Sequence, residues 1–432
     1  VQLEHPFRLN TWQLFRISII VLLLLVVALL VSRSRQKSAF NDSDLLLSRI
    51  EVPVESNAFW TLLKATNELY WPGLLQRELG NLSINSNWDE SLAADVLKKN
   101  RTCMDLFDES LRQPFLLIPE PKTITEDYPY LGTWRTISQI ESIRGISLFR
   151  AKSAKAALDS ALKVIQFGQR IENSGGVIIH YLVGSAIKKD GLLRIQQMIA
   201  DTTLKEADLF ALIRELDGFK PNKEGFTNAL KVEYQMERTF VDDIAVGKYD
   251  AAETTTSAPE RKFATINMWV FFNPTKTKIG YAQSARVIRD NMSKPFGNIP
   301  WSDLPVLETN APIWKRLLSG NAIGDMLYEM QDPELKRLSL RKSQEDVNVT
   351  ATQLLVALKI YKIRHDKLPK SLSELVPEFF PQVPIDDFDG NPFRYSPDKK
   401  LIYSVGPDLK DLGGEGFHKN SATYNLPFKI EF

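Results

Sequence analysis

Few side chains in this sequence are of the kinds that bond to substrates or metals, and their spacing narrows the chemistry at once. There is one cysteine, Cys103, and there are four histidines, His5, His180, His365 and His418. A single thiol excludes an internal disulfide framework and any multi-cysteine zinc or iron–sulfur site. Nothing local supplies the histidine or cationic setting that makes a reactive thiolate, so Cys103 reads as a half-buried small hydrophobe. The histidines show neither His-x-x-x-His nor His-Glu-x-x-His spacing, which argues against metal hydrolysis on histidine ligands. Gly-x-Ser-x-Gly, the phosphate loop and the dinucleotide fingerprint are all missing.

The acids are more numerous and less specific. Glu233, Glu237, Asp242 and Asp243 share a helical edge with Arg238. A di-metal carboxylate bundle would add Glu-x-x-His, which is not there, so the edge reads as a solvated helix face. Asp386, Asp387 and Asp389 before Gly390 resemble part of an EF-hand loop, yet Ile385 stands at its first ligand position and Ser396 at its twelfth. A turn explains them better. Two acids far apart in sequence leave no motif, so a hydrolase with an unrecognised carboxylate pair stays open as an alternative.

The elements that position these residues begin with an apolar run. Ile17 to Val31 reads ISIIVLLLLVVALLV, flanked by Arg16 and by Arg33, Arg35 and Lys37. This is short of the roughly 20 residues that cross a bilayer, but Leu14, Phe15 and Ser32 lengthen it and the arginine stems can lie along the apolar zone. Trp12 suits an interfacial anchor. The expectation is a single-pass transmembrane helix that contacts the lipid bilayer through residues 14–32. The Ser-Arg-Ser-Arg-Gln-Lys that follows is a poor cleavage site, which favours an uncleaved signal anchor over a removed signal peptide. Flanking charges nearly tie and leave the orientation open.

From Asp44 to about Gly247 apolar residues recur at three- and four-residue spacing between Pro or Gly-Gly breaks, the pattern of helices. Asn57 to Tyr70 is one, capped by Ser56 or Asn57 and stopped by Pro72. Trp134 to Ile171 carries a continuous apolar stripe whose alanines permit close helix approach. Gly175-Gly176 breaks it and Val177 to Ala200 resumes, making an antiparallel pair. Ala207 to Leu216, Thr227 to Val246, Thr277 to Met292 and Ile313 to Met330 are further helices. The stretch Asp250 to Lys262, with Thr254-Thr-Thr-Ser-Ala-Pro259, reads as a linker or mobile loop. No period near 34 residues repeats, so the body is a tetratricopeptide-like hairpin stack or a bundle.

A long helix, Pro333 to Arg364, leads into the C-terminal part. Ser371 and Glu374 form a capping box. Two short strands around a Ser396-Pro-Asp-Lys turn follow, and Leu426 to Phe432 alternates as a third. The ordered set, helix, Leu368-Pro369, Asp389-Gly-Asn-Pro-Phe393, Tyr403-Ser-Val-Gly-Pro-Asp408 and Gly413-Gly-Glu-Gly416, resembles the globular end of the major pseudopilin of type II secretion. The whole chain also resembles a group of membrane-anchored bacterial proteins with a helical domain and this tail, a likeness that implies no activity. Two features depart from the pseudopilin pattern: no glycine cleavage site and glutamate adjoin the apolar run, and a long helical region intervenes. The resemblance implies calcium on the loop after the Tyr-Ser-x-Gly strand, and points to Asp408, Asp411 and Glu415 as metal ligands. Hard oxygen donors on a Gly-rich loop suit that ion.

The expected fold is therefore mainly α: an N-terminal anchor over 1–40, a helical domain over 41–249, a linker with further helices over 250–345, and a small α+β pseudopilin-like module with a short antiparallel sheet over 346–432. With 54 Lys+Arg against 53 Asp+Glu, the formal charge of +1 draws in no nucleic acid. The functional expectation is a membrane-tethered, extracytoplasmic interaction or scaffold protein without catalytic activity, with a protein partner on the helical domain. An accessory role in a type II secretion or pilus-like system is the alternative.

Overall fold

The computed structural model describes residues 10–13, 15–23, 40–70, 80–82, 88–124, 126–220, 223–248, 272–304, 320–416 and 425–432. In chain order the helices are α1 (Ala58–Asn67), α2 (Glu90–Lys99), α3 (Arg101–Arg112), α4 (Tyr130–Arg150), α5 (Ala154–Glu172), α6 (Ile178–Met198), α7 (Glu206–Asp217), α8 (Lys223–Ala245), α9 (Pro274–Asn291) and α10 (Ala322–His365). The strands β1 (Arg394–Ser396), β2 (Leu401–Ser404) and β3 (Leu426–Lys429) form one antiparallel sheet in that order.

The expected transmembrane helix is corrected here. Among the described residues, no helix is long and apolar enough to cross a membrane. Part of the apolar run, 24–31, lies outside the described residues, as do the 250–262 linker and the start of the helix expected from Ile313. The single-pass, signal-anchor and membrane-localisation assignments that rested on this span are withdrawn with it.

Two compact units emerge: residues 1–44, 237–284 and 305–333 in one, and 45–236, 285–304 and 334–432 in the other. In the first, Asn321 Oδ1 accepts from Asn273 N (2.7 Å) and from Thr277 Oγ1 (3.1 Å), while Tyr281 and Tyr328 stack at 5.9 Å. Arg238 pairs with Asp42 at 3.2 Å and Lys278 with Asp242 at 2.7 Å. The acidic edge of α8 is thus only partly a solvated face, since Glu237 is buried as well.

The second unit holds α1 to α7 and the sheet. One apolar cluster joins α1 to α4 around Phe59, Phe107, Trp134 and Ile140. Another joins α5, α6 and α7 to the buried stretch Val347–Tyr361 of α10 and to Phe388, Phe393 and Ile402 of the tail. Small residues let α5 and α6 meet. A Cβ on Gly168 would stand 2.5 Å from Gly184 O, one on Gly184 would stand 2.6 Å from Gly168 O, and one on Gly191 would stand 2.9 Å from Ala161 O. Those pairings run in opposite directions along the two helices, as an antiparallel pair requires.

The stripe read as one helix from Trp134 to Ile171 is two. Lys152 N donates to Phe149 O (3.0 Å) and Ser153 N to Leu148 O (2.9 Å), with Lys152 in the left-handed region at φ 62°. This is a Schellman stop, built on lysine where glycine is usual. Conversely, α10 continues past Pro333 as one helix.

In the sheet, Ile402 pairs with Phe428 and Tyr403 with Pro427. Ile430 N donates to Lys400 O at 2.8 Å, which sets Phe428 and Leu426 as the residues bonded to β2 and turns the backbone of Pro427 and Lys429 outward. Proline thus occupies an edge position where no N–H is needed.

Candidate functional site

The sequence-implied calcium ligands have separate roles. Asp411 Oδ1 accepts from Tyr403 Oη (3.1 Å) and from Gly413 N (2.9 Å). Both carboxylate oxygens of Asp408 are buried without a hydrogen-bond partner. Glu415 takes part through its backbone, its carbonyl accepting from Asn425 N at 2.7 Å. Among the described residues, no group of three or more His, Cys, Asp or Glu is placed to hold a metal ion. What organises this loop is Asn425: its Oδ1 accepts from Leu412 N and Gly414 N, and its Nδ2 donates to Val405 O and Lys410 O. Every side-chain bonding capacity of that buried amide is used.

The neighbouring acids of the turn are structural. Asp386, with no exposed surface, accepts from Phe388 N (3.0 Å), Ser404 Oγ (2.8 Å), Val405 N (2.8 Å) and Arg394 Nη1 (3.1 Å). Asp387 pairs with Lys342 of α10 at 3.0 Å, and burial, opposed by Lys342, raises its pKa to about 6. Cys103 is fully buried, and burial pushes its thiol up to about 12, far from a thiolate at neutral pH.

The most unusual chemistry lies behind the α5–α6 contact. Lys188 of α6 is buried, and its ammonium reaches Glu172 Oε2 (2.6 Å), Gln169 Oε1 (2.9 Å) and Phe219 O (3.2 Å) and also pairs with Glu345 of α10. Tyr181 Oη donates to Glu345 Oε2 at 3.0 Å. Two carboxylates share one ammonium, all three groups buried. Burial, then the Glu345 charge, holds Glu172 well above the ordinary carboxylate range. For Lys188 burial works the other way, but Glu345 and Glu172 outweigh it and raise its pKa.

Glu345 also borders a cleft of about 690 Å³. One wall is a stripe of α6, Leu182, Ser185 or Ala186, Lys189, Leu193 and Gln196, which recurs every three to four residues and so shares one helix face. The facing wall is a stripe of α10, Arg341, Gln344, Glu345 and Asn348, with the same period. Arg135 of α4 and the strand β3 complete it. Asp190 lies in this cleft, and burial raises its pKa against the pull of Arg135, Arg194 and Lys189.

Cations outnumber acids in the lining. Arg135, Lys189, Arg341 and Lys429 all line the cleft, and among the described residues none of them makes a salt bridge. Arg341 donates to Gln344 Oε1 at 3.0 Å, and Gln196 Nε2 donates to Thr352 Oγ1 at 2.8 Å. The acid Glu345 faces inward to Lys188 and does not neutralise them.

Compared with known protein families, curated proteins and solved structures, the chain has no match in any of the three. Reading the sequence did not single out Lys188, Glu345, Arg135 or Asp190. One signal was present: the polar run Arg341 to Glu345 leads straight into the apolar face of a helix whose later turns are buried. Lysine next to the apolar positions Ile187, Leu192 and Ile195 of α6 was the other.

Proposed function

We propose that this protein is a non-catalytic interaction protein that holds a segment of a partner protein in the cleft between α6 and α10. The observation that carries this reading is the pairing of a mixed apolar and polar stripe of α6 with a polar stripe of α10, with four cations that make no salt bridge among the described residues, on a frame locked by the Lys188 network. A cleft that keeps its shape loses little freedom when it binds. Of the acids in and behind the cleft, Glu345 is held between Lys188 and Tyr181, Glu172 is sealed behind it, and Asp190 lies among Arg135, Lys189 and Arg194.

The test is selection of a random hexapeptide library on the full chain. Peptides recovered on the parent protein should lose binding to an Ala186→Trp chain, in which the cleft is filled, while thermal melting checks that this variant stays folded. Peptides that bind both chains equally would place the partner surface elsewhere and overturn the reading.

A further inference from the structure

The cleft's charge pattern specifies more than the presence of a partner. Its cations come from four different elements: Arg135 from α4, Lys189 from α6, Arg341 from α10 and Lys429 from β3. They share this lining with two acids, Asp190 beside Arg135 and Lys189, and Glu345 paired with Lys188, so positive charge is in excess and an occupant with negative charge complements it. Between them the lining supplies apolar contacts, Leu182, Leu193 and Leu426, and side-chain amides, Gln344 and Asn348. Amides of this kind bond peptide groups, and spaced leucines take alternate side chains. The α6 wall from Leu182 to Gln196 is about 21 Å long at 1.5 Å per residue, the length of about six residues of extended chain.

Strand addition does not fit this edge. Pro427 faces outward on β3 without an N–H, and Lys429 follows on the same edge, two devices that discourage pairing. The occupant is recognised by its side chains.

We infer that the occupant is an extended, acidic peptide segment, its carboxylates meeting Arg135 and Lys189 on one part of the lining and Arg341 and Lys429 on another. This rests on the proposed partner-binding role of the cleft. Asp190 is the acid that works against such a ligand. Arg135 of α4 and Lys189 and Arg194 of its own helix act on it, and it shares the cleft lining with Arg341, Glu345 and Lys429.

Three N-acetylated, C-amidated hexapeptides test it on the full chain by fluorescence anisotropy: alternating glutamate and leucine, the glutamine counterpart and the lysine counterpart. The glutamate peptide should bind about tenfold more tightly than the glutamine one, which is about 1.4 kcal/mol, and the gap should shrink as salt is added. Arg135→Gln with Arg341→Gln should remove most of the gap, and Asp190→Asn should widen it. Equal affinity for glutamate and glutamine peptides would overturn the acidic preference while leaving the cleft reading in place. No binding of any peptide would overturn both. If glutarate or inorganic phosphate alone competes as strongly as the glutamate peptide, the cleft is a small-anion site and the inference falls.

Discussion

His180 shows what burial does to a single residue. The sequence marked it only as a histidine without metal-ligand spacing. In the fold it is 1% exposed, its Nε2 lies 2.8 Å from Tyr130 Oη, and its ring meets Tyr128 at 4.6 Å between centroids. Burial, the leading cause, pulls its pKa from 6.5 down to about 4. Between these values the unfolded chain binds a proton that the folded chain refuses, so stability rises with pH across the interval. The contribution is fully present above 6.5 and is lost as pH falls to about 4, a difference of about 3 kcal/mol. Asp387, raised by burial to about 6, slopes the opposite way, so the parent must be compared with a His180→Gln chain that shares that background. Denaturant unfolding at pH values above 6.5 and near 4 should show the variant losing less stability on acidification. If parent and variant lose the same amount, His180 is not the group responsible.

Among elements, the break between α4 and α5 is the instructive one, because no glycine or proline announces it. Apolar period alone runs on from Trp134 to Ile171, and the reading of one long helix followed that period. Local bonding decides otherwise: Lys152 adopts φ 62° and its N–H and that of Ser153 satisfy the last carbonyls of α4. A side chain in this conformation costs about 1–2 kcal/mol that glycine avoids, partly offset by glycine's greater freedom in the unfolded chain. Lys152→Gly should therefore stabilise the protein by about 0.5–1 kcal/mol, read as a higher denaturant midpoint with an unchanged slope. Lys152→Val, β-branched in the same conformation, should lower it. A lower midpoint for the glycine variant would mean that the lysine side chain contributes more than its backbone strain costs. The capping box at Ser371 and Glu374, by contrast, was legible in full and is present as read, because a cap depends on residues three positions apart.

At the level of the whole molecule, the Lys188 network ties α5, α6 and α10 of the second unit through one ammonium. Removing the cation alone leaves two buried acids facing each other, and Lys188→Met is expected to cost about 3–5 kcal/mol in denaturant unfolding. Adding Glu172→Gln and Glu345→Gln to that change removes the stranded charges and should recover much of the loss. Equal losses in the single and triple variants would show that packing, and not charge, sets the cost.

Sequence alone determined the helical character of the body, most helix positions and the three strands with their antiparallel order. Each follows from period, caps and turns within a few residues, where chain connectivity already places the partners. Tertiary structure decided the rest. That Glu172 and Glu345 meet at Lys188 depends on α5, α6 and α10 packing together, and glycines at the α5–α6 crossing allow the close approach of two of them. The cleft exists only because stripes from two distant helices face each other, a relation that no local pattern encodes.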